Sequence, residues 1–309
     1  MTAKRKNETK AGGGSGGAMP AIAVFADALA RSEPRPPDDA DRDAKKNYAQ
    51  RLSNNLAILI ANKLRSIKPF GSILPDSDGS GTESGSASGT TKKSKRTDVR
   101  YATSTTGLEL LVSIKTLNYR DMKKQRVTKA ITFGRYTKNM VRNDHELRAE
   151  AMDHHERFPY AVMVALFFLP IEACDDGEKD KSSFAHGVVT LRPRAGRIEP
   201  TDPHSKFERV FIGLYERGPA SQRVGFVDVT KAPPRRGRPP WPDEADDPAR
   251  GGRMLTLEEV IAEIVREYGM RNRTYVRWAD EPADAALPDV AAEADVDEIG
   301  DDEVDPDSQ

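Results

Sequence analysis

Residues 98–115 read DVRYATSTTGLELLVSIK, and the rest of the chain is read outward from them. Asp98 opens a strand-like run, Thr103–Gly107 supplies turn residues, and a second, apolar run ends in Ser113-Ile114-Lys115-Thr116. With the turn centred near Thr105–Thr106, positions whose numbers sum to about 211 lie opposite each other in the hairpin. Asp98 then faces Ser113, and Lys115 shares a face with Ser113 because alternate strand residues point the same way. Asp98 and Lys115 are therefore expected to meet at one end of the hairpin. Glu109 is expected on the same face as Ser113 and Lys115. It lies ~13 Å from Ser113 at standard strand rise, near the turn and away from Asp98.

On the N-terminal side, Tyr48, Leu52, Leu56, Leu59, Ile60 and Leu64 recur at helical spacing, which predicts an amphipathic helix over 43–67 ended by Pro69 and Gly71. On the C-terminal side, 118–136 reads as a basic irregular segment. Residues 139–157 follow as a charged helix with Met140, Leu147, Ala151 and His154 near one face. Pro159–Pro170 is almost wholly apolar and β-rich, as a central strand buried on both faces would be. Further strands are expected at 185–192, 209–216 and 223–230, and a second amphipathic helix at Leu255–Tyr268 with Thr256 as its N-cap. This order predicts a mixed α/β (α+β) domain. The domain is expected over 41–279, with loops at 76–96 and 232–253. Residues 1–40 and 280–309 are expected to be disordered tails.

The net charge of −1 hides a strong asymmetry. Residues 280–309 hold 13 acidic and no basic residues, which leaves residues 1–279 with a net charge of +12. A basic body with an acidic tail points to a polyanionic partner. The single cysteine, Cys174, excludes an intrachain disulfide framework. No apolar run approaches the ~20 residues of a membrane helix, and Gly12–Gly17 and Asp27 break up the N-terminal region where a signal peptide would lie. The expectation is a cytoplasmic protein.

A carboxylate beside a lysine can hold a hard cation such as Mg²⁺ together with waters and phosphate oxygens, with the Ile114 carbonyl as a further ligand. The lysine can orient or deprotonate an attacking water or stabilise a charged transition state. The hairpin with its flanking helices, roughly residues 43–170, resembles the PD-(D/E)XK nuclease superfamily, which includes many restriction endonucleases. The resemblance implies a mixed central sheet flanked by helices, with Asp98 as the first metal-binding acid and Lys115 as the catalytic lysine. Here Thr97 stands in place of the motif's proline and Ser113 in place of its second acid. Some members with Ser-X-Lys take the missing acid from the following helix. Glu146 is the first choice for that role and Glu150, one turn on and facing the same way, the second. The helix at 43–67 also has an echo in the family, where a polar residue borders the site; Gln50, Asn54 and Asn55 are its candidates.

The resemblance implies an Mg²⁺-dependent endonuclease acting on double-stranded DNA, and symmetric cutting would favour a homodimer. Lys92, Lys93, Lys95, Arg96, Lys123, Lys124 and Arg126 would contact the phosphate backbone. Arg236-Gly237-Arg238-Pro239 is similar to an AT-hook, whose arginines enter a narrow minor groove. The rival expectations are a non-catalytic DNA-binding or interaction protein on a decayed nuclease fold, and a scaffold whose ends recruit partners. His145, His154 and His155 read as helix surface, because neither their offsets nor any Cys/His spacing suits zinc. Trp241 and Trp278 read as packing or loop anchors.

Overall fold

The computed structural model describes residues 22–81, 97–124, 131–176, 181–217 and 222–278. Its centre is a five-stranded mixed sheet with spatial order β1-β2-β5-β6-β7. The strands are β1 (Val99–Thr103), β2 (Gly107–Thr116), β5 (Val162–Pro170), β6 (Arg209–Tyr215) and β7 (Val224–Asp228), and β3 (Met122–Lys124) and β4 (Ile131–Phe133) form a separate two-stranded ribbon. The outer pairs β1/β2 and β6/β7 are antiparallel, while β2, β5 and β6 run parallel. Parallel neighbours need crossover connections. Helix α3 (Met140–Arg157) lies in the crossover from β2 to β5, and α4 (Ser183–Leu191) in that from β5 to β6.

Helices cover both faces of the sheet. One core packs α1 (Phe25–Ser32), α2 (Arg42–Arg65) and α5 (Leu257–Trp278) on Val99, Tyr101, Leu110, Val112 and the even-numbered residues 162–168 of β5. The other packs α3 and α4 on Leu111, Met163, Ala165, Phe167 and Leu169. Every residue of β5 is buried, which accounts for its unbroken apolar sequence. Glu208, just before β6, is buried with Arg197 and Arg271. Its carboxylate accepts from both guanidinium groups at 2.9 and 3.0 Å and from the Met163 N–H at 2.7 Å, joining the starts of β5 and β6 to α5.

Three sequence expectations are corrected. Residues 22–40, expected to be disordered, include α1. Ile22, Phe25, Ala28 and Leu29 are buried, and the Phe25 ring stacks on Phe168 at 6.1 Å between centroids. The expected strand at 185–192 is helix α4. The Ser182 hydroxyl caps it by accepting from the Ala185 N–H, and Phe184, Val188 and Leu191 bury one helical stripe that their β-branched neighbours mask in sequence. Gly187 suits that helix because a Cβ there would lie 3.1 Å from the Met140 methyl group. The segment 118–136, expected to be irregular, contains the β3–β4 ribbon. The other elements fall close to their predicted places. Thr256 caps α5 in a reciprocal box, accepting from the Glu259 N–H at 3.0 Å while its own N–H donates to the Glu259 carboxylate at 2.7 Å. No helix among the described residues is long and apolar enough to cross a membrane.

If α1 belongs to the core, Phe25→Ala costs about 3–5 kcal/mol, the usual range for a buried aromatic truncated in a packed site. Urea unfolding measures this directly. A midpoint equal to wild type would return residues 22–32 to the status of a dispensable tail.

Candidate functional site

The β1/β2 pairing follows the predicted register where it matters. Val99 opposes Val112, Arg100 opposes Leu111 and Tyr101 opposes Leu110. Asp98, one residue before Val99, projects to the opposite face, which it shares with Ser113 and Lys115. The register shifts between Tyr101 and Ala102, and the unpaired extra residue is Glu109. This bulge turns Glu109 onto the α5 side, where its carboxylate accepts from Thr103, Thr106 and the Tyr268 hydroxyl. The expectation that Glu109 shares a face with Ser113 is therefore corrected, and its distance from the Asp98 end becomes a matter of face as well as length. The turn closes at Gly107, whose φ of +71° and contact with the Phe158 ring exclude a side chain.

Helix α3 supplies a carboxylate to the Asp98 end. Asp144, Leu147, Glu150, Ala151 and His154 form its buried stripe. Glu150 is 4 % exposed, and its Oε2 accepts from the Ser113 hydroxyl at 3.0 Å and from the Lys115 ammonium at 3.2 Å. Glu146, the first choice from sequence, instead takes the Arg142 guanidinium at 2.7 Å, and 43 % of its side chain is accessible. One helical turn separates them, and of the two it is Glu150 that bonds Ser113 and Lys115, while Glu146 acts on Lys115 through its charge alone. Asp98 is fixed from the strand side, its Oδ2 accepting from the Ile114 N–H at 2.6 Å. The N–H and C=O of one strand residue point to the same edge, so the Ile114 carbonyl is directed toward the side that Asp98 occupies.

The electrostatics of this cluster are those of a carboxylate pair with one lysine between them. Burial raises the Asp98 carboxyl from 3.8 to about 6. The Lys115 charge opposes that rise, the Glu150 charge adds to it, and the Ile114 N–H opposes it. Burial pulls the Lys115 ammonium down, but Glu150 and Asp98 outweigh it, so its pKa lies above the ordinary lysine value. Glu150 Oε1 is buried and has no hydrogen-bond partner among the described residues. An acceptor oxygen left in this state is costly. Two carboxylates, one orphaned oxygen and an edge-directed carbonyl suit a hard cation that keeps most of its own waters. No group of three or more His, Cys, Asp and Glu side chains that could hold a metal exists among the described residues. Two carboxylates are too few for a fully protein-ligated ion such as structural zinc.

Lys92, Lys93, Lys95, Arg96 and Arg126 lie outside the described residues, and Lys123 and Lys124 lie on strand β3. Arg236 is exposed. Arg238, expected to reach a groove, is held by both oxygens of Glu244 at 2.7 and 2.8 Å and lies 5.2 Å from the ring centroid of the buried Trp241. Its charge is paired within the loop. Asn55 donates to the Ser32 hydroxyl at 2.9 Å, and Gln50 donates to Asn54 at 2.8 Å, so Asn55 fastens α1 to α2. His154 and His155 are buried rather than on the surface. His155 bonds the His204 carbonyl, and burial together with the nearby Arg197 holds its pKa down to about 3. Sequence periodicity placed Glu146 and Glu150 on one face; the signal that separates them is the Arg142–Glu146 pair at i,i+4 spacing, which occupies Glu146.

The raised Asp98 pKa makes a stability prediction with a definite sign. A carboxyl whose folded pKa exceeds its unfolded value binds its proton more tightly in the folded state, so stability falls as pH rises from about 4 to about 6 and stays lowered above that. Without added divalent cation, Asp98→Asn should stabilise the protein by roughly 1–3 kcal/mol near neutral pH and have little effect below about pH 4. Thermal unfolding across pH tests this, and a stabilisation that grows toward acid would contradict it. No protein-family model, curated protein or solved structure significantly matches this chain.

Proposed function

We propose that this protein is a metal-dependent endonuclease that hydrolyses phosphodiester bonds of double-stranded DNA, with Mg²⁺ as its cation. The observation that carries the proposal is the convergence of Asp98, Lys115 and Glu150, delivered by two strands and the crossover helix, with a carboxylate oxygen left unpartnered. The resemblance to PD-(D/E)XK nucleases supports the same reading, with Ser113-Ile114-Lys115 as its Ser-X-Lys variant.

Asp98 and Glu150 would hold the cation through carboxylate oxygens, with the Ile114 carbonyl as a third protein ligand. When bound, the cation supplies charge stabilisation at the phosphoryl group and lowers the pKa of a coordinated water. Without the cation, the charges of Glu150 and Asp98 raise the Lys115 pKa above the ordinary lysine value. A charged ammonium stabilises negative charge on the phosphoryl oxygens and donates to the attacking water, and it cannot accept that water's proton. Ser113 is a positioning residue. Its hydroxyl fixes the Glu150 carboxylate that replaces an acid at the strand position. The net charge of +12 on residues 1–279 supplies the sequence-independent attraction to phosphate.

Incubation of supercoiled plasmid with Mg²⁺ or with EDTA tests the reading. Wild type should nick or linearise the plasmid only with Mg²⁺. Asp98→Ala, Lys115→Ala and Glu150→Ala should each lower the rate about 10²-fold or more, while Glu146→Ala keeps most of it. Full activity in the Glu150→Ala variant would reject this metal site. Duplex binding without cutting would favour a binding protein on the same fold. For the Pro/Arg-rich loop, Arg236→Ala should reduce the salt dependence of DNA binding by about one released ion, and Arg238→Ala should reduce it less. Equal losses in a salt titration would show that Glu244 does not neutralise Arg238.

A further inference from the structure

Among the described residues, eight large apolar side chains are exposed, and three of them stand on the short β3–β4 ribbon. Met122, Ile131 and Phe133 are 42, 45 and 45 % exposed. Met122 pairs directly with Phe133, and Ile131 is two residues from Phe133 on the same strand. The three therefore lie on one face of the ribbon. A patch of Met, Ile and Phe left in water on two three-residue strands has no role in the body of the fold, because both cores lie elsewhere.

The base of the ribbon is tied down. The Asp121 N–H donates to the Arg135 carbonyl at 2.9 Å, the Gly134 N–H donates to the Asp121 carbonyl at 2.6 Å, and the Lys138 N–H donates to the Asp121 carboxylate at 3.2 Å. The Arg120 guanidinium lies 5.8 Å from the centroid of the buried Tyr136 ring. The ribbon begins seven residues after Lys115, following the same end of β2. Three of the five residues 120–124 are basic.

We infer that the β3–β4 ribbon enters a groove of duplex DNA beside the candidate site and sets the apolar face of Met122, Ile131 and Phe133 against the bases. This rests on the reading of the protein as acting on DNA. Charge selects the occupant: an apolar face on a stretch where three of the five residues 120–124 are basic suits a polyanion whose bases are apolar on their faces, and suits a neutral or basic protein surface poorly. Duplex grooves admit a two-stranded ribbon, and Phe, Met and Ile are side chains that wedge between base steps.

The test uses the full chain and a duplex oligonucleotide carrying a fluorescent adenine analogue, in EDTA so that nothing is cut. Wild-type binding should brighten the analogue as base steps unstack. Met122→Ser with Phe133→Ser should remove that signal and weaken binding about ten-fold or more, with the salt slope unchanged because the phosphate contacts remain. Both positions are exposed, so the variant should keep the wild-type unfolding midpoint. Unchanged affinity and an unchanged signal in the variant would overturn the inference and leave the nuclease proposal standing. An inactive wild type whose duplex binding still depends on Met122 and Phe133 would sink the nuclease proposal and keep this one. Absence of duplex binding by wild type would overturn both. Loss of a wild-type dimer in the variant, seen by sedimentation with DNA affinity intact, would assign the ribbon to self-association and overturn the inference.

Discussion

One buried carboxylate, Glu150, joins the sheet to its crossover helix at the position where the chemistry is proposed. Its Oε2 takes the Ser113 hydroxyl and the Lys115 ammonium together, while its Oε1 is left unsatisfied. Burying an ion pair gains little net stability, because desolvation offsets the Coulomb attraction. Leaving one oxygen orphaned makes the balance worse. The arrangement is understandable if the energy withheld from folding is recovered when a cation binds, since anything that binds only the folded state stabilises it. Asp98 fits the same account: burial raises its pKa to about 6, so its charge is held at a cost until a cation offsets it.

A serine at position 113 suits this geometry. A carboxylate on the strand at 113 would sit against Glu150, and two like charges in contact would force one to keep its proton. The hydroxyl lets the helix supply the charge and the strand supply a donor. The position of the second acid depends on how α3 packs. That packing is set by Leu147 and Ala151 against the sheet and by the bidentate Asp144–Arg194 pair, whose bonds are 2.6 and 2.9 Å.

The β-bulge shapes the site by exclusion. With regular alternation, Glu109 would share a face with Ser113 and Lys115. The extra residue sends it to Tyr268 on α5 instead, and the cluster keeps two acids and one lysine. The bonds that tie Asp121 to Gly134 and Arg135 likewise hold the apolar ribbon at its base without drawing it into either core.

The sequence by itself determined the helix α2, the hairpin with its register at Val99–Tyr101, the helix α3, the central strand β5 and the meeting of Asp98 with Lys115. Each depends on a period of 2 or 3.6 residues, or on a turn, and such patterns are local. The sequence misread α1 because a short helix in a Pro- and charge-rich stretch is stable only through the burial of Phe25 and Leu29. It misread α4 because Val188, Val189 and Thr190 favour strands while a serine cap and a buried stripe outweigh propensity. Only the tertiary structure decided between Glu146 and Glu150. Two glutamates one turn apart are equivalent to a helical period, and what distinguishes them is the height at which α3 crosses β2 and the arginine that reaches one of them first.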